Sequence, residues 1–241
     1  ISNSKRKGGE VVIFALELPI CDPLFTIADK LPVPDLIVTE WAIILIIGLF
    51  AYFSTRKMER VPRGLQNAFE MIVQWTFDFF GQLLGESVAK KWTPLLSTFF
   101  LFILVSNYSG LIPGAGTIDG FKAPTSDWNV TATLAIIVFF TVQVAGFREH
   151  KLGYFGSFIK PMPLMLPLNL LEQVVRPLSL TLRLFGNVFG EEMIVGMLLM
   201  MVPFLIPMPL MALGLLTGAI QAIVFTILSS SYIAGATGEG H

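Results

Sequence analysis

The sequence predicts an all-α integral membrane protein with about five membrane-embedded helices and one amphipathic helix at the interface. Three observations predict it. The 241 residues are 54% hydrophobic with a mean hydropathy of +0.73, and only 14% are charged, against roughly 25% in soluble chains. Long stretches carry no charge: no Asp, Glu, Lys or Arg lies between Glu192 and Glu239, and none between Lys91 and Asp119. Lys and Arg cluster between the apolar stretches, at Arg56, Lys57, Arg60 and Arg63 and again at Arg148, Lys151 and Lys160, as the positive-inside rule expects of loops on one side. The whole chain reads as one membrane domain, residues 1–241.

Residues 1–35 open with Lys5, Arg6 and Lys7 and contain Pro19, Pro23, Pro32 and Pro34. Their apolar run over 11–18 is too short to span a bilayer, so the segment is expected to be terminal or interfacial. No cleavable leader is expected ahead of the first span. Residues 36–53 form the first span, with Glu40 near its start. Residues 64–87 differ in kind. Leu65, Phe69, Ile72, Phe79, Phe80, Leu83 and Leu84 make an apolar face, and Glu70, Gln74, Asp78, Gln82 and Glu86 recur every fourth residue. That pattern suits a helix lying at the interface or along a partner.

Residues 93–112 and 130–147 are the next two spans, and the loop between them has one lysine, Lys122, against Asp119 and Asp127, which suits the outer side. Two long helices follow, 166–201 and 210–233, with Pro203, Pro207 and Pro209 between them. Both exceed the roughly 20 residues of a perpendicular span, and tilting accommodates the excess. Pro177 interrupts one hydrogen bond of the first, and Gly214 and Gly218 give the second a G-x-x-x-G face for close helix approach.

The function is written in one stretch of the first long helix: Arg176-Pro177-Leu178-Ser179-Leu180-Thr181-Leu182-Arg183-Leu184-Phe185-Gly186-Asn187-Val188-Phe189-Gly190-Glu191-Glu192. A charge at the bilayer centre costs about 2.5–3.5 kcal/mol on insertion scales, so such a residue faces protein or water. A snorkelling or purely structural arginine is the plainer reading of Arg183. Against it, at 100° per residue Glu172, Arg176, Arg183 and Asn187 share one side of a continuous helix. Glu192 points nearly opposite Arg183, so the two make no same-helix pair.

These residues resemble the signature of subunit a of the rotary F-type ATP synthases, particularly its bacterial and chloroplast branch: an arginine, then Leu-Phe-Gly-Asn, then a carboxylate nine positions on. Ser106-Asn107-Tyr108-Ser109-Gly110-Leu111-Ile112-Pro113, Leu152-Gly153-Tyr154-Phe155 and Gly218-Ala219-Ile220-Gln221-Ala222 resemble the same family, and the likeness runs from about Ile37 to Tyr232. It implies that the last two helices form a tilted hairpin beside a rotor. It also implies an ion-translocating stator subunit with two aqueous half-channels, which pass protons, or sodium, to and from carboxylates on the rotor c-ring. The implied partners are that ring of proteolipids, the peripheral-stalk b subunits, the remaining synthase subunits and membrane lipid. The implied location is an energy-transducing membrane, bacterial plasma membrane first and thylakoid or other organellar membrane second.

By the same resemblance Arg183 is the essential arginine separating the half-channels, Asn187 its polar companion, Glu192 the half-channel carboxylate and Gln221 the polar residue facing the arginine. Asn187 and Gln221 also suit simple helix–helix hydrogen bonding. Glu191 is expected to line the exit, Glu172 and Arg176 to pair four residues apart with Glu172 near a water path, and Asn107 to line the outer path. Some members of the family carry a histidine seven residues before the glutamine. Gly214 stands there in this chain, so Glu192 is expected to carry more of the access path.

Other function classes fit poorly. A net charge of −1 gives nucleic acid no footing. The glycines 114, 116 and 120 lack the lysine of a phosphate loop, so no nucleotide or other cofactor is expected, and the subunit is not an enzyme on its own. His150 and His241 lie apart, and no metal site is expected. Cys21 is the single cysteine and forms no internal disulfide. The competing class is a stand-alone secondary transporter, which also uses intramembrane charges and broken helices but is built from repeats not visible here.

Overall fold

The computed structural model describes residues 23–27, 31–56, 64–84, 86–111, 122–150, 166–201 and 207–237. The readings of Lys5 to Lys7, the apolar run 11–18, Cys21, the basic residues 57–63, the glycine-rich loop with Asp119, Lys151, the Leu152–Phe155 motif, Lys160 and His241 lie outside them. The described chain contains six α-helices: α1 Asp35–Thr55, α2 Leu65–Leu84, α3 Glu86–Ser109, α4 Trp128–His150, α5 Leu166–Met201 and α6 Pro207–Thr237. A 3-10 turn, Pro124–Ser126, leads into α4. Among the described residues three stretches are long and apolar enough to cross a membrane by length and composition: Ile37–Thr55, Trp128–Glu149 and Met208–Thr237. An all-helical membrane architecture results because a backbone in lipid must satisfy its own N–H and C=O groups.

The sequence reading assigns no secondary structure to the start of the chain. A short antiparallel pair, β1 Pro23–Ile27 and β2 Leu31–Pro34, precedes α1. Pro23, Pro32 and Pro34 lie at or near the ends of this two-stranded ladder, where a missing N–H is tolerated. The other differences are of boundary. α3 begins seven residues before the expected 93, because Ser87, Lys90 and Lys91 are compatible with helix although they spoil a hydropathy window. α6 begins at Pro207 rather than 210, because prolines in the first turn forfeit N–H groups that have no partner there anyway. α4 runs through Arg148 to His150 for the same reason as α3. α5 occupies 166–201 as expected and continues through Pro177, with the Thr181 hydroxyl donating to the Pro177 carbonyl at 2.9 Å.

α6 is the centre of the packing, in contact with α2, α3, α4 and α5. Its buried Ala222, Phe225 and Ile233 meet Leu96, Phe99 and Ile103 of α3, Val138 of α4 and Leu180 and Leu184 of α5 in one core. Phe99 and Phe225 meet edge to face at 6.2 Å. Small residues bring the backbones close: a Cβ added at Gly218 would lie 3.2 Å from the Asn107 Cβ. In lipid such contacts replace the hydrophobic effect as the force between helices. Buried hydroxyls find partners within their own helix, Thr226 donating to the Ala222 carbonyl at 2.9 Å and Ser229 to that of Phe225 at 2.8 Å.

α2 is less peripheral than an interfacial helix. It packs against α1, α3 and α6, burying Thr76 and Phe80, while Gln74, Asp78 and Gln82 stay exposed. Gly64, at φ +59°, makes the left-handed entry to α2 that a side chain would strain. The Ser54 hydroxyl ties α1 to this start, reaching the Leu65 carbonyl at 3.4 Å.

Candidate functional site

α5 presents two unlike faces. Leu180, Leu184 and Val188, spaced by four, are buried against the bundle. Leu171, Val175, Leu178, Leu182, Ile194 and Met197 are exposed, and the described residues do not cover them. Arg183 lies on the exposed side. It makes no hydrogen bond or ion pair among the described residues, whereas the other arginine of α5 is paired. Asn187, one turn on, is half-buried. Arginine is a permanent cation, so a positive charge without a counter-charge among the described residues stands on an apolar helix face.

Toward its C-terminal end α5 meets a buried polar cluster. Asn107 is its hub. The amide Nδ2 donates to the Gly218 carbonyl of α6 at 3.0 Å, and Oδ1 accepts from the Thr125 hydroxyl at 2.7 Å, so one side chain joins α3, α6 and the turn before α4. Glu192 turns toward that same turn, its Oε1 accepting from the Ala123 backbone N–H at 3.0 Å. A Cβ on Gly110 would lie 3.3 Å from that oxygen and 2.7 Å from the Ala123 Cβ, so the α3 end, the turn and α5 close around it. Glu191 turns the other way, toward α6. Its carboxylate fills the space over Gly214, where any side chain would collide with it. The Thr217 hydroxyl lies 3.3 Å from Glu191 Oε2 and 3.2 Å from the Gly214 carbonyl, and can give its proton to either. Glu191 Oε1 and Gln221 Nε2 are buried without a hydrogen-bond partner among the described residues.

Toward the N-terminal end of α5 the Glu172 carboxylate accepts from Arg176 at 2.6 Å, and the Arg176 guanidinium stands 5.1 Å from the centre of the Tyr232 ring of α6. An open cleft of about 730 Å³ lies there, walled by Glu172, Arg176, Ser179, Ser230, Ser231 and Tyr232 among others. Arg183 is between the two polar regions: at 1.5 Å per residue it sits about 16 Å along the helix from Glu172 and about 12 Å from Glu191.

Of the residues singled out in the sequence, Glu191, Glu192 and Asn107 are brought to one cluster, Glu172 and Arg176 pair as expected, and Gln221 is buried. Arg183 and Gln221 make no hydrogen bond to each other. Sequence reasoning missed Thr125, Thr217 and Tyr232. Thr217 had a signal, since it shares the face of Gly214, Gly218 and Gln221; Thr125 and Tyr232 had none.

Two comparisons bear on this arrangement. The family model described as the ATP synthase A chain matches residues 37–234. A protein of Moorella thermoacetica named ATP synthase subunit a is 42% identical over 205 residues, covering 85% of this chain and 91% of that protein.

Proposed function

The chain belongs to the ATP synthase A chain family, a membrane component of ATP synthase serving ATP synthesis and ion transport, and from that membership we propose that it is the ion-translocating stator subunit of a rotary F-type enzyme. In this reading protons pass between the two sides of the membrane through two half-channels that end at a ring of rotor carboxylates, and Arg183 separates them. Sodium is the other ion such a subunit could carry.

The observation that carries the reading is Arg183 on the exposed apolar face of α5, without a partner among the described residues. Left in lipid, that charge would cost about 2.5–3.5 kcal/mol or more. A partner surface offering carboxylates at mid-membrane depth removes the cost. The chemistry then follows. A rotor carboxylate approaching the guanidinium is stabilised in its ionised form and gives up its proton. The same positive charge repels a cation crossing from one path to the other, so passage requires rotation. Lysine would serve less well, because burial can strip its proton.

The polar regions on either side of Arg183 are the proposed half-channels: the cleft beside Glu172, Arg176 and Tyr232 on the inner side, and the cluster of Asn107, Glu191, Glu192 and Gln221, with Asn187 between it and the arginine, on the outer side. Arg56 and Arg148, at the ends of α1 and α4, take the inner side by the positive-inside rule, and Asp127 the outer. α5 and α6 act as a tilted hairpin against the ring, with the peripheral-stalk b subunits holding the stator, in a bacterial plasma membrane.

Co-purification tests the assignment. The protein extracted in mild detergent is expected with a ring of small hairpin proteolipids. A cysteine at Leu182, on the proposed rotor face, should form a disulfide with cysteines placed beside the proteolipid carboxylate. A protein that purifies alone and transports ions alone would contradict it.

A further inference from the structure

Going round α5 by about 100° per residue, the order is Arg183, Asn187, the buried Leu184 and Val188, then Glu192, Phe185, Phe189 and the exposed Leu182. The exposed face begins beside Leu182 and returns to Arg183. Gly186 and Gly190 lie within it, and a Cβ on either would meet no described atom within 4 Å. That face has two margins of unlike chemistry. One is polar and carries Arg183 and Asn187, on the side where Arg176 meets Tyr232 of α6. The other is aromatic and lies toward the start of α4. There the rings of Phe185 and Phe189 stack with centroids 5.1 Å apart, and Trp128 of α4 meets Phe185 edge to face at 5.6 Å.

Trp128 reaches α5 because of what precedes it. It is the first residue of α4, and the turn before it is pinned from two sides. The Thr125 hydroxyl donates to Asn107 of α3 at 2.7 Å, and the Ala123 N–H donates to Glu192 of α5 at 3.0 Å. The Asp127 carboxylate accepts from the Asn129 N–H at 2.6 Å and caps the helix start. The contacts that gather the outer polar cluster therefore also deliver the indole to Phe185. The plainer reading of Trp128, 39% exposed, is an anchor at the membrane interface. An anchor needs no partner on a neighbouring helix, whereas this indole closes a ladder of three rings across the α4–α5 seam.

We infer that Trp128, Phe185 and Phe189 form an apolar seal that keeps water of the outer half-channel from reaching the exposed face of α5 along its α4 margin. This rests on the stator reading above. The buried polar groups of the outer cluster draw water, because polar surface without a partner is costly in hydrocarbon. Glu192 stands only about 60–80° round the helix from the exposed face on this side, so the seam between α4 and α5 is the gap that water would take. The three rings fill that gap with apolar surface and hold its two walls together. The outer path is left with the Asn187–Arg183 margin as its way to the rotor. The seal supports coupling for a geometric reason. Ser179, in the wall of the inner cleft, also borders the exposed face. A rotor carboxylate over that face, reached by outer water through an open seam, would meet both paths on the same side of Arg183.

The test uses membrane vesicles carrying the whole complex, with every rate normalised to assembled complex. It measures passive proton flux through the membrane sector and the protons pumped per ATP hydrolysed. Trp128→Ala and Phe185→Ala are each expected to raise passive flux roughly 2–10-fold, the range by which losing one aromatic contact shifts an open–closed balance. Both should also lower the protons pumped per ATP. Trp128→Phe keeps a ring at the seam and should hold both quantities near wild type. If Trp128→Ala does not assemble, Phe185→Ala decides. A purely structural contact would lower the yield of complex and leave both quantities unchanged, and that result overturns the inference. Accessibility gives a second measurement, in a Cys21→Ser background. A cysteine at Leu182 should react with a membrane-impermeant thiol reagent added outside when Phe185→Ala is also present, and should be protected when Phe185 is intact. Equal reaction in the two backgrounds overturns the inference as well. Arg183→Ala is run alongside. Full coupled pumping there would overturn the stator reading itself, whereas its loss with wild-type flux and stoichiometry in the aromatic variants would overturn only the seal.

Discussion

Replacing Asn107 with alanine removes the hub of the buried polar cluster, and the structure sets the size of the effect. Two hydrogen bonds disappear, one to the Gly218 carbonyl at 3.0 Å and one from the Thr125 hydroxyl at 2.7 Å. The Gly218 carbonyl sits inside α6 and keeps its helical partner, so the loss there is about 0.5–1 kcal/mol. The Thr125 hydroxyl is fully buried and loses its acceptor, which costs about 1–3 kcal/mol. Asn107→Ala should therefore destabilise the helix bundle by about 2–4 kcal/mol. The part belonging to the Asn107–Thr125 bond is separable by a double-mutant cycle with Thr125→Val, expected to give a coupling of about 1–2 kcal/mol. Titrating the subunit in mixed micelles with SDS, followed by circular dichroism, gives the four midpoints. A coupling indistinguishable from zero would mean that α3 and the turn before α4 are not joined by this bond.

Other expectations follow from neighbouring contacts. Gly218→Val would push α6 away from Asn107 and Tyr108, whose atoms would lie 3.2–3.8 Å from a Cβ there, and should cost about 1–3 kcal/mol in the same titration. Arg176→Ala should cost less, about 1 kcal/mol, because its partner Glu172 is exposed and surface pairs contribute little; a loss matching that of Asn107→Ala would show the Tyr232 contact to be stronger than its geometry suggests. Cysteines at Arg56 and Arg148 should react with a membrane-impermeant reagent from one side of sealed vesicles, and one at Asp127 from the other. Labelling of all three from the same side would contradict the proposed topology.

How far the sequence determines these features differs from element to element. The bounds of α5 follow from uninterrupted apolar composition, and Pro177 did not mislead because a single missing hydrogen bond leaves the helix continuous. The start of α3 was misjudged because hydropathy sees Lys90 and Lys91 as the end of a span, although lysine is a good helix former. The β1–β2 pair is too short, and too interrupted by proline, to carry the alternating pattern of a strand. At the site, the G-x-x-x-G spacing of Gly214 and Gly218 announced close approach, but not that α3 fills one notch and a carboxylate the other. Glu191 and Glu192 differ by 100° on the helix, and which of them meets α6 depends on how α5 is rotated against it. That rotation is set by Leu180, Leu184 and Val188 packing into the core, a property of the assembled bundle rather than of any local motif. The bond between Asn107 and Thr125 closes a loop of 18 residues that has no periodic signature.

The central claim is that Arg183 separates two proton paths and engages the rotor. It is tested most directly by measuring ATP-driven pumping and passive proton flux in the same vesicles carrying Arg183→Ala. The account predicts an assembled complex that no longer pumps, with passive flux through the membrane sector raised above wild type. Coupled pumping at the wild-type rate, with no added leak, would contradict it.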